Sequence, residues 1–534
     1  MSFIQVYNLA YKDVFNVSFI NVFNPVIQNC FRAFSTAFVL VRGKNTLNII
    51  CVTYLNSIQF HSNNGQERGV FMFLQSSAVK STDTIRTLYF DDSILARFFG
   101  QSSTHNDIPG ELYSKYNVKK GLRNEDGTGV LVGLTKVSDV VGYVKDKEGK
   151  VTPCDGDLLY RGYSIHDLIR NRRDNYGFEE TCFLLLFGFL PNKNQLANFK
   201  GCLADRYSLP DNFMINEILG SPSLNLMNRL QALTLQLYNY DDDPDNTDVY
   251  ETLRKGLNLI AKLPVLACYA YQSKLHKVYH DSLIIHYPRQ DYSIAENILL
   301  MLRPDGQFTK KEANLLDALL VIHADHGGGN NSTFTDVVVG STGTDLYSAI
   351  CASLGALKGP RHGGANISVS RMMDEVKAVT GMNCDKAKIK KVILDILDGK
   401  LYDHSGLLYG FGHAVYTLSD PRAEILRELC RNLAQEKGML STFNFYKMFE
   451  DTAHEVLMEK KKKPLPTNVD FYSGLAYSML GIPDELYTPL FAIARVSGWV
   501  SHNMENKMYD GRIMRPATKY VGEMHDFVDM DSRS

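Results

Sequence analysis

The chain of 534 residues is 45% apolar and 22% charged, which supplies a core and excludes the disordered and fibrous classes. Its 57 Lys and Arg nearly balance 59 Asp and Glu, for a net charge of −2, so no global basic excess points to nucleic acid or to a membrane surface as a partner. At about 150 residues per domain the length predicts roughly three to four units.

The first seventy residues are rich in Phe, Asn, Val and Ile and carry only Lys12, Asp13, Arg32, Arg42, Lys44, Glu67 and Arg68 as charges. A transit peptide is Arg-rich as well as acid-poor, and this segment is sparing in Arg. An extension ahead of the functional fold, or an upstream start codon, is the preferred reading, with import into the mitochondrial matrix as the alternative. A secretory signal fits worse, because Lys12 and Asp13 interrupt the apolar stretch. No stretch reaches the roughly 18 apolar residues of a spanning helix. Cys30, Cys51, Cys154, Cys182, Cys202, Cys268, Cys351, Cys384 and Cys430 stand singly with no CxxC pair, as expected of a reduced, cytoplasmic chain.

From about Thr82 the composition becomes ordinary. Alternation from Val141 to Lys145, a turn at residues 147–150 and the run Leu158 to Gly162 predict a short hairpin. Beyond it helical patterns dominate, in residues 164–187, 291–302, 310–323, 346–357 and 491–506. Asp420 and Pro421 open another helix, Ile425, Leu426, Leu429, Cys430 and Leu433 form its apolar stripe, and Gly438 stops it. No fixed-period repeat suggests a solenoid. The body is therefore expected to be all-α apart from the hairpin.

Three loops combine His with Gly. His323-Ala-Asp-His326 runs into three glycines, which mark close approach of the main chain to another group. A metal site through His323, Asp325 and His326 lacks a standard ligand spacing and is not expected. His362 sits between Gly359-Pro360 and Gly363-Gly364, and His413 follows Gly410-Phe-Gly412. Imidazoles in such turns suit general-acid or electrophilic roles, against the plain alternative of solvated turn residues. Asp470, between Val469 and Phe471, reads as a partly desolvated base, as the cap of the helix beginning near Phe471, or as both at once. Arg495 lies in an apolar helical run and needs a carboxylate, and Arg422 and Arg515 are candidates to complete a cluster.

These motifs resemble the citrate synthase family: HADH with its glycines, GPRHGGAN, GFGHAVY with DPR, NVDFYSG, and ARVSGWVSHNMEN leading to RP, in the family's order over about residues 113–522. The resemblance implies an all-α fold with a large helical domain of residues 106–364 and 485–534. It implies a smaller inserted domain of residues 365–484, and it leaves residues 1–105 as an extension outside the match. Gly363, Gly364 and the Pro483 region are hinge candidates by composition.

The implied activity is an acyltransferase reaction, condensation of acetyl-CoA with oxaloacetate to citrate, with acetyl-CoA as substrate and no cofactor or metal. Asp470 would be the base, His362 the neutral donor to the enolate and His413 the group that activates the oxaloacetate carbonyl. His326, Arg422 and Arg495 would bind oxaloacetate, Arg515 would reach a neighbouring subunit's site in a homodimer or higher oligomer, and Lys463 would lie near CoA. Two positions depart from the family pattern, Gly327 in place of an acidic residue and Thr417 in place of a basic one. Competing readings are a 2-methylcitrate synthase using propionyl-CoA and a catalytically inactive helical interaction protein.

Overall fold

A computed structural model describes residues 17–21, 34–42, 47–55, 99–100, 102, 106–124, 127–145, 151–172, 176–509 and 511–533. Two compact units divide at Leu112 and Tyr113. In the first, β1 (Val17–Asn21), β2 (Phe34–Arg42) and β3 (Leu47–Leu55) form an antiparallel sheet in that order, with Val17 opposite Val41 and Phe34 opposite Leu55. The sequence reading anticipated no sheet here. The β-branched and aromatic runs that made this segment unusual are what a pleated pair prefers.

The second unit carries the expected hairpin, after a short helical turn at Lys120–Leu122. β4 (Ser138–Lys145) pairs antiparallel with β5 (Val151–Tyr160), the register shifts between Val141 and Tyr143, and β6 (Tyr163–Ser164) adds a short third strand. Leu158 and Tyr160 are fully buried, so one face of β5 joins the core.

Helices make up the rest. The expected block 164–187 is two helices, α1 (Ile165–Arg170) and α2 (Phe178–Phe187). The buried Asp317 carboxylate divides them by accepting from Gly177 N at 2.7 Å and Phe178 N at 3.0 Å, which starts a new N-terminus. There follow α3 (Lys193–Ala204), α4 (Leu226–Gln236), α5 (Val249–Val278), α6 (Ile294–Leu302) and α7 (Lys310–His323). Capping boxes begin α6 at Ser293 with Glu296 and α7 at Thr309 with Glu312. Next come α8 (Asn331–Gly340), α9 (Leu346–Lys358), α10 (Ala365–Thr380), α11 (Lys386–Leu397), α12 (Pro421–Glu436) and α13 (Leu440–Lys461).

α14 (Val469–Met479) and α15 (Tyr487–Met508) are the last two long helices. α15 is buried from Tyr487 to Glu505 and packs on α5, α8 and α7. A Cβ at Gly256 of α5 would lie 2.4 Å from Val500 Cγ1, so glycine sets how closely these two helices approach. Beyond α15 the segment 511–533 is almost wholly exposed and lacks helix except for a turn at Met530–Ser532. Among the described residues no helix is long and apolar enough to cross a membrane.

Candidate active site

The His326 loop leaves the C-terminus of α7 and is held from three sides. The Asp325 carboxylate accepts from the Ser138 hydroxyl of β4, from Gly327 N at 3.1 Å and from His502 Nε2 of α15 at 3.1 Å. Burial alone would raise this carboxyl, but His502, Arg495 and Ser138 hold it well below the usual range. The same pairing outweighs the burial that would lower His502 and raises that imidazole. Gly327 has φ +79°, a conformation that favours glycine, and its N–H donates to Ser138 Oγ at 3.0 Å.

His413 and Asp470 are set by one short piece of paired backbone. Gly412 N donates to Pro466 O at 2.7 Å, Asn468 N to Gly410 O at 2.9 Å and Asn468 Nδ2 to Gly412 O at 3.0 Å. A Cβ at Gly410 would come within 2.9 Å of the Phe471 ring. His413 Nδ1 accepts from Val415 N at 3.0 Å and Tyr416 N at 3.1 Å, which fixes its proton on Nε2. Burial, then Arg422, push this imidazole down to about 4, so it is neutral at pH 7 and a donor.

Asp470 lies in the first turn of α14, and the cap is Asn468, whose Oδ1 accepts from Asp470 N at 3.1 Å. The capping reading of Asp470 is thus corrected. Asn468 meets the helix first and leaves the Asp470 carboxylate without a hydrogen bond among the described residues. Burial pushes its pKa up to about 6 against the pull of Arg422.

Asp420 joins two helix starts. Its carboxylate accepts from Arg422 N and Nε at 3.0 Å, from Arg422 Nη2 at 2.8 Å and from Val469 N at 3.2 Å. The bidentate grip aims the guanidinium and keeps it charged although buried. Arg495 donates through Nε to His323 O at 2.8 Å, while its Nη1 and Nη2 are buried with no partner among the described residues. His326 Nε2 is in the same condition, and its ring centre lies 5.2 Å from that of His413. Burial, then Arg422, hold His326 well below its ordinary range.

His362 follows α9 in a tight turn, where Gly363 N donates to Leu357 O at 2.9 Å and Thr488 Oγ1 to Gly363 O at 2.8 Å. Its Nε2 lies 3.0 Å from Ser332 Oγ, and burial, then Arg495, push its pKa down to about 4. Three neutral imidazoles, two buried guanidinium groups and one desolvated carboxylate therefore share a field. This set can bind a dianion, remove a proton from carbon and donate to developing oxyanions without charged acids.

A model of the citrate synthase C-terminal domain matches residues 126–517. The chain belongs to the citrate synthase family. It is 35% identical over 422 residues to the citrate synthase of Haloferax volcanii, covering 78% of this chain and 99% of that one. It is 34% identical over 370 residues to the 2-methylcitrate synthase of Shewanella oneidensis, covering 68% and 88%. Among solved structures, the ternary complex of carboxymethyl coenzyme A and oxaloacetate with citrate synthase from Thermoplasma acidophilum superposes with a TM-score of 0.64 at 28% identity. That likeness spans 78% of this chain and 99% of the other. The citrate synthase of Pyrobaculum aerophilum gives 0.62 at 31% identity, over 76% and 94%. This citrate synthase family member is thus an enzyme of the acyltransferase class with the family's all-α fold.

Two residues expected of a citrate synthase site are not brought into it within one chain. Arg515 is exposed on the C-terminal segment, which is pinned by Met514 N donating to Ser341 Oγ at 3.1 Å. Lys463 is exposed beyond α13, and in the same run Lys460 pairs with Asp398 at 2.6 Å on the surface. Among the described residues no group of three His, Cys, Asp or Glu stands as a metal-ligating cluster.

Sequence reasoning missed Asp420 as more than a cap, although DPR places its carboxylate within reach of Arg422. It also missed Tyr416, whose ring lies 4.6 Å from that of His413 at a 30° tilt, and Ser332 beneath His362. The departure at Thr417 has a local explanation, since its Oγ1 donates to Gly142 O of the hairpin at 2.9 Å.

Proposed function

We propose that this site condenses acetyl-CoA with oxaloacetate and hydrolyses the product thioester to give citrate and CoA. Asp470 takes a methyl proton from acetyl-CoA, and a hydrogen bond from neutral His362 stabilises the enolate oxygen. The enolate carbon bonds to the ketone carbon of oxaloacetate as His413 Nε2–H donates its proton to the forming alkoxide. Water then cleaves the citryl thioester. His326, Arg422 and Arg495 bind the oxaloacetate carboxylates and carbonyl face, and two carboxylates account for the guanidinium count.

The observation that carries this reading is Arg495, whose two terminal nitrogens are buried with no partner beside neutral His326. A buried guanidinium in that state calls for a carboxylate. The Thermoplasma citrate synthase complex with carboxymethyl coenzyme A and oxaloacetate supports the same substrates.

Arg515 serves the site of a second copy in a homodimer or larger assembly, which its exposure on the C-terminal segment supports. Closure of residues 365–484 over residues 106–364 and 485–534 would exclude water from the condensation. A cytoplasmic setting fits the described cysteines, all free thiols.

Relatives of similar identity include 2-methylcitrate synthases, so propionyl-CoA is the second substrate to weigh. One methylene changes binding by only about 1–3 kcal/mol. The test is kcat/KM for acetyl-CoA against propionyl-CoA with oxaloacetate. A preference for acetyl-CoA is expected, and the reverse order would make the enzyme a 2-methylcitrate synthase.

A further inference from the structure

Three helices bring the site together, and the other end of each meets one ammonium group. α12 opens at Asp420 and Arg422, α14 carries Asp470 in its first turn, and α7 runs out into His323 and His326. Lys437 stands at the far end of α12. Its Nζ donates to the carbonyl of Met479, the last residue of α14, at 2.7 Å, and pairs with Glu312 Oε1, in the first turn of α7, at 2.6 Å. An ammonium has three protons, so both bonds stand together. Glu312 is buried and also accepts from Arg303 at 2.8 and 2.9 Å, while Arg303 Nη2 donates to Leu480 O at 2.9 Å. Burial alone would raise this carboxyl, but Arg303, then Lys437, bring it down to about 2. With 16, 11 and 14 residues in α12, α14 and α7, the junction lies roughly 16–24 Å along the helices from the chemistry. At the site end α12 and α14 are pinned to each other, where Asp420 accepts from Val469 N at 3.2 Å. Among the described residues no hydrogen bond joins α7 to either of them there.

We propose that Lys437 is a positioning residue which, from the end remote from the chemistry, sets the angle at which α12 and α14 present Arg422 and Asp470 to the His326 loop. Two helices joined by one pin swing about it, and a second pin at the far end fixes both angle and register. Lys437 is that second pin for α12 and α14, and through Glu312 it fastens the pair to α7. Any cation near Met479 O would serve as a cap for α14; sharing the same ammonium with the carboxylate of a third helix is what a cap does not require. Without it α14 is held to α12 at Asp420 alone, and a misplacement of about 1 Å at reacting groups costs up to about 100-fold in rate. The proposal rests on the assignment of Asp470, Arg422 and His326 to the condensation.

Lys437→Met in the full-length chain keeps an unbranched stem and removes the ammonium. Its kcat with acetyl-CoA and oxaloacetate should fall by about tenfold, while the melting midpoint moves little, because a partly exposed ion pair contributes little to stability. Lys437→Arg, which keeps donors for both acceptors, should recover most of the rate. Lys311→Met removes the neighbouring surface pair with Glu436, which joins α7 to α12 but not to α14, and should leave kcat within about twofold. Hydrogen exchange read by mass spectrometry should be faster in Lys437→Met at residues 468–471, where Asn468 N donates to Gly410 O and Val469 N to Asp420, as well as next to the lost bond at residues 480–482. Unchanged kcat in Lys437→Met, an equal loss in Lys437→Arg or Lys311→Met, or faster exchange confined to residues 480–482 would overturn the proposal and leave Lys437 as a local cap. Exchange needs no turnover: absence of activity with every acyl-CoA would overturn the condensation, while the exchange at residues 468–471 still decides whether Lys437 reaches the site end of α14.

Discussion

Asp470 combines a base's two requirements, a carboxylate unencumbered by hydrogen bonds and a pKa brought by burial to about 6. Turnover should therefore fall as pH drops through about 6, as a pH–rate profile will show. Asp470→Asn should reduce kcat by at least about 100-fold while the chain still folds. The stability change has the opposite sign. A carboxyl raised from 3.8 unfolded to about 6 folded favours folding below 3.8, and that contribution is lost as pH rises through about 6. At pH 7 the charged side chain opposes folding, so Asp470→Asn should unfold at higher temperature there, by roughly 1–3 kcal/mol, and the difference should shrink towards pH 4. Equal melting of the two proteins at pH 7 would mean that the carboxylate is better solvated than its burial indicates. The desolvation of Asp470 was legible in the sequence because its apolar neighbours are adjacent in the chain. The grip of Asp420 on Arg422 was half legible, since the second helix start it caps lies at Val469.

At the scale of elements, the β4–β5 hairpin carries none of the proposed chemistry yet supports both histidine loops. Ser138 holds the His326 loop through Asp325 and Gly327, while Gly142 and Gly156 lie against the segment after His413. A Cβ at Gly142 would lie 2.4 Å from Val415 O, and one at Gly156 would lie 2.2 Å from Ser419 O. Gly156 N donates to Ser419 Oγ at 3.1 Å, beside the Thr417 bond to Gly142. Val415 N is one of the two donors that fix the His413 tautomer, so moving this segment moves the donor. Gly142→Ala should raise the oxaloacetate KM and lower kcat, together by about tenfold or more, with about 1–3 kcal/mol of lost stability. Steady-state kinetics beside thermal unfolding will separate the two, and normal kinetics would remove the hairpin from the positioning of His413. The hairpin itself was readable from alternation and turn residues. Its task was not, because Gly142 and Thr417 are separated by 275 positions.

At the scale of the whole molecule, the C-terminal segment exposes Ile513 at 55%, Tyr520 at 70%, Met524 at 90% and Phe527 at 85%. Apolar side chains this exposed, in a segment that also carries Arg515, fit a strand of chain that lies on a second copy. Arg515→Ala should raise the oxaloacetate KM. Co-expressed with Asp470→Asn, it should form mixed dimers with activity that neither variant has alone, because one of the two sites then has both an intact base and an intact arginine. No recovery in the mixed population would place Arg515 in its own subunit's function or outside the site.

The sequence by itself determined the local features: a helix start at Asp420, glycine-framed turns around His326, His362 and His413, and an arginine in an apolar run. Each depends on residues within a few positions of one another, so side-chain chemistry and backbone preference suffice to read them. Only the tertiary structure decided which imidazoles are neutral, which nitrogen of His413 carries the proton, and that Ser332 lies against His362. Those properties follow from desolvation and from donors that arrive from distant helices, and neither is a function of neighbours in the sequence.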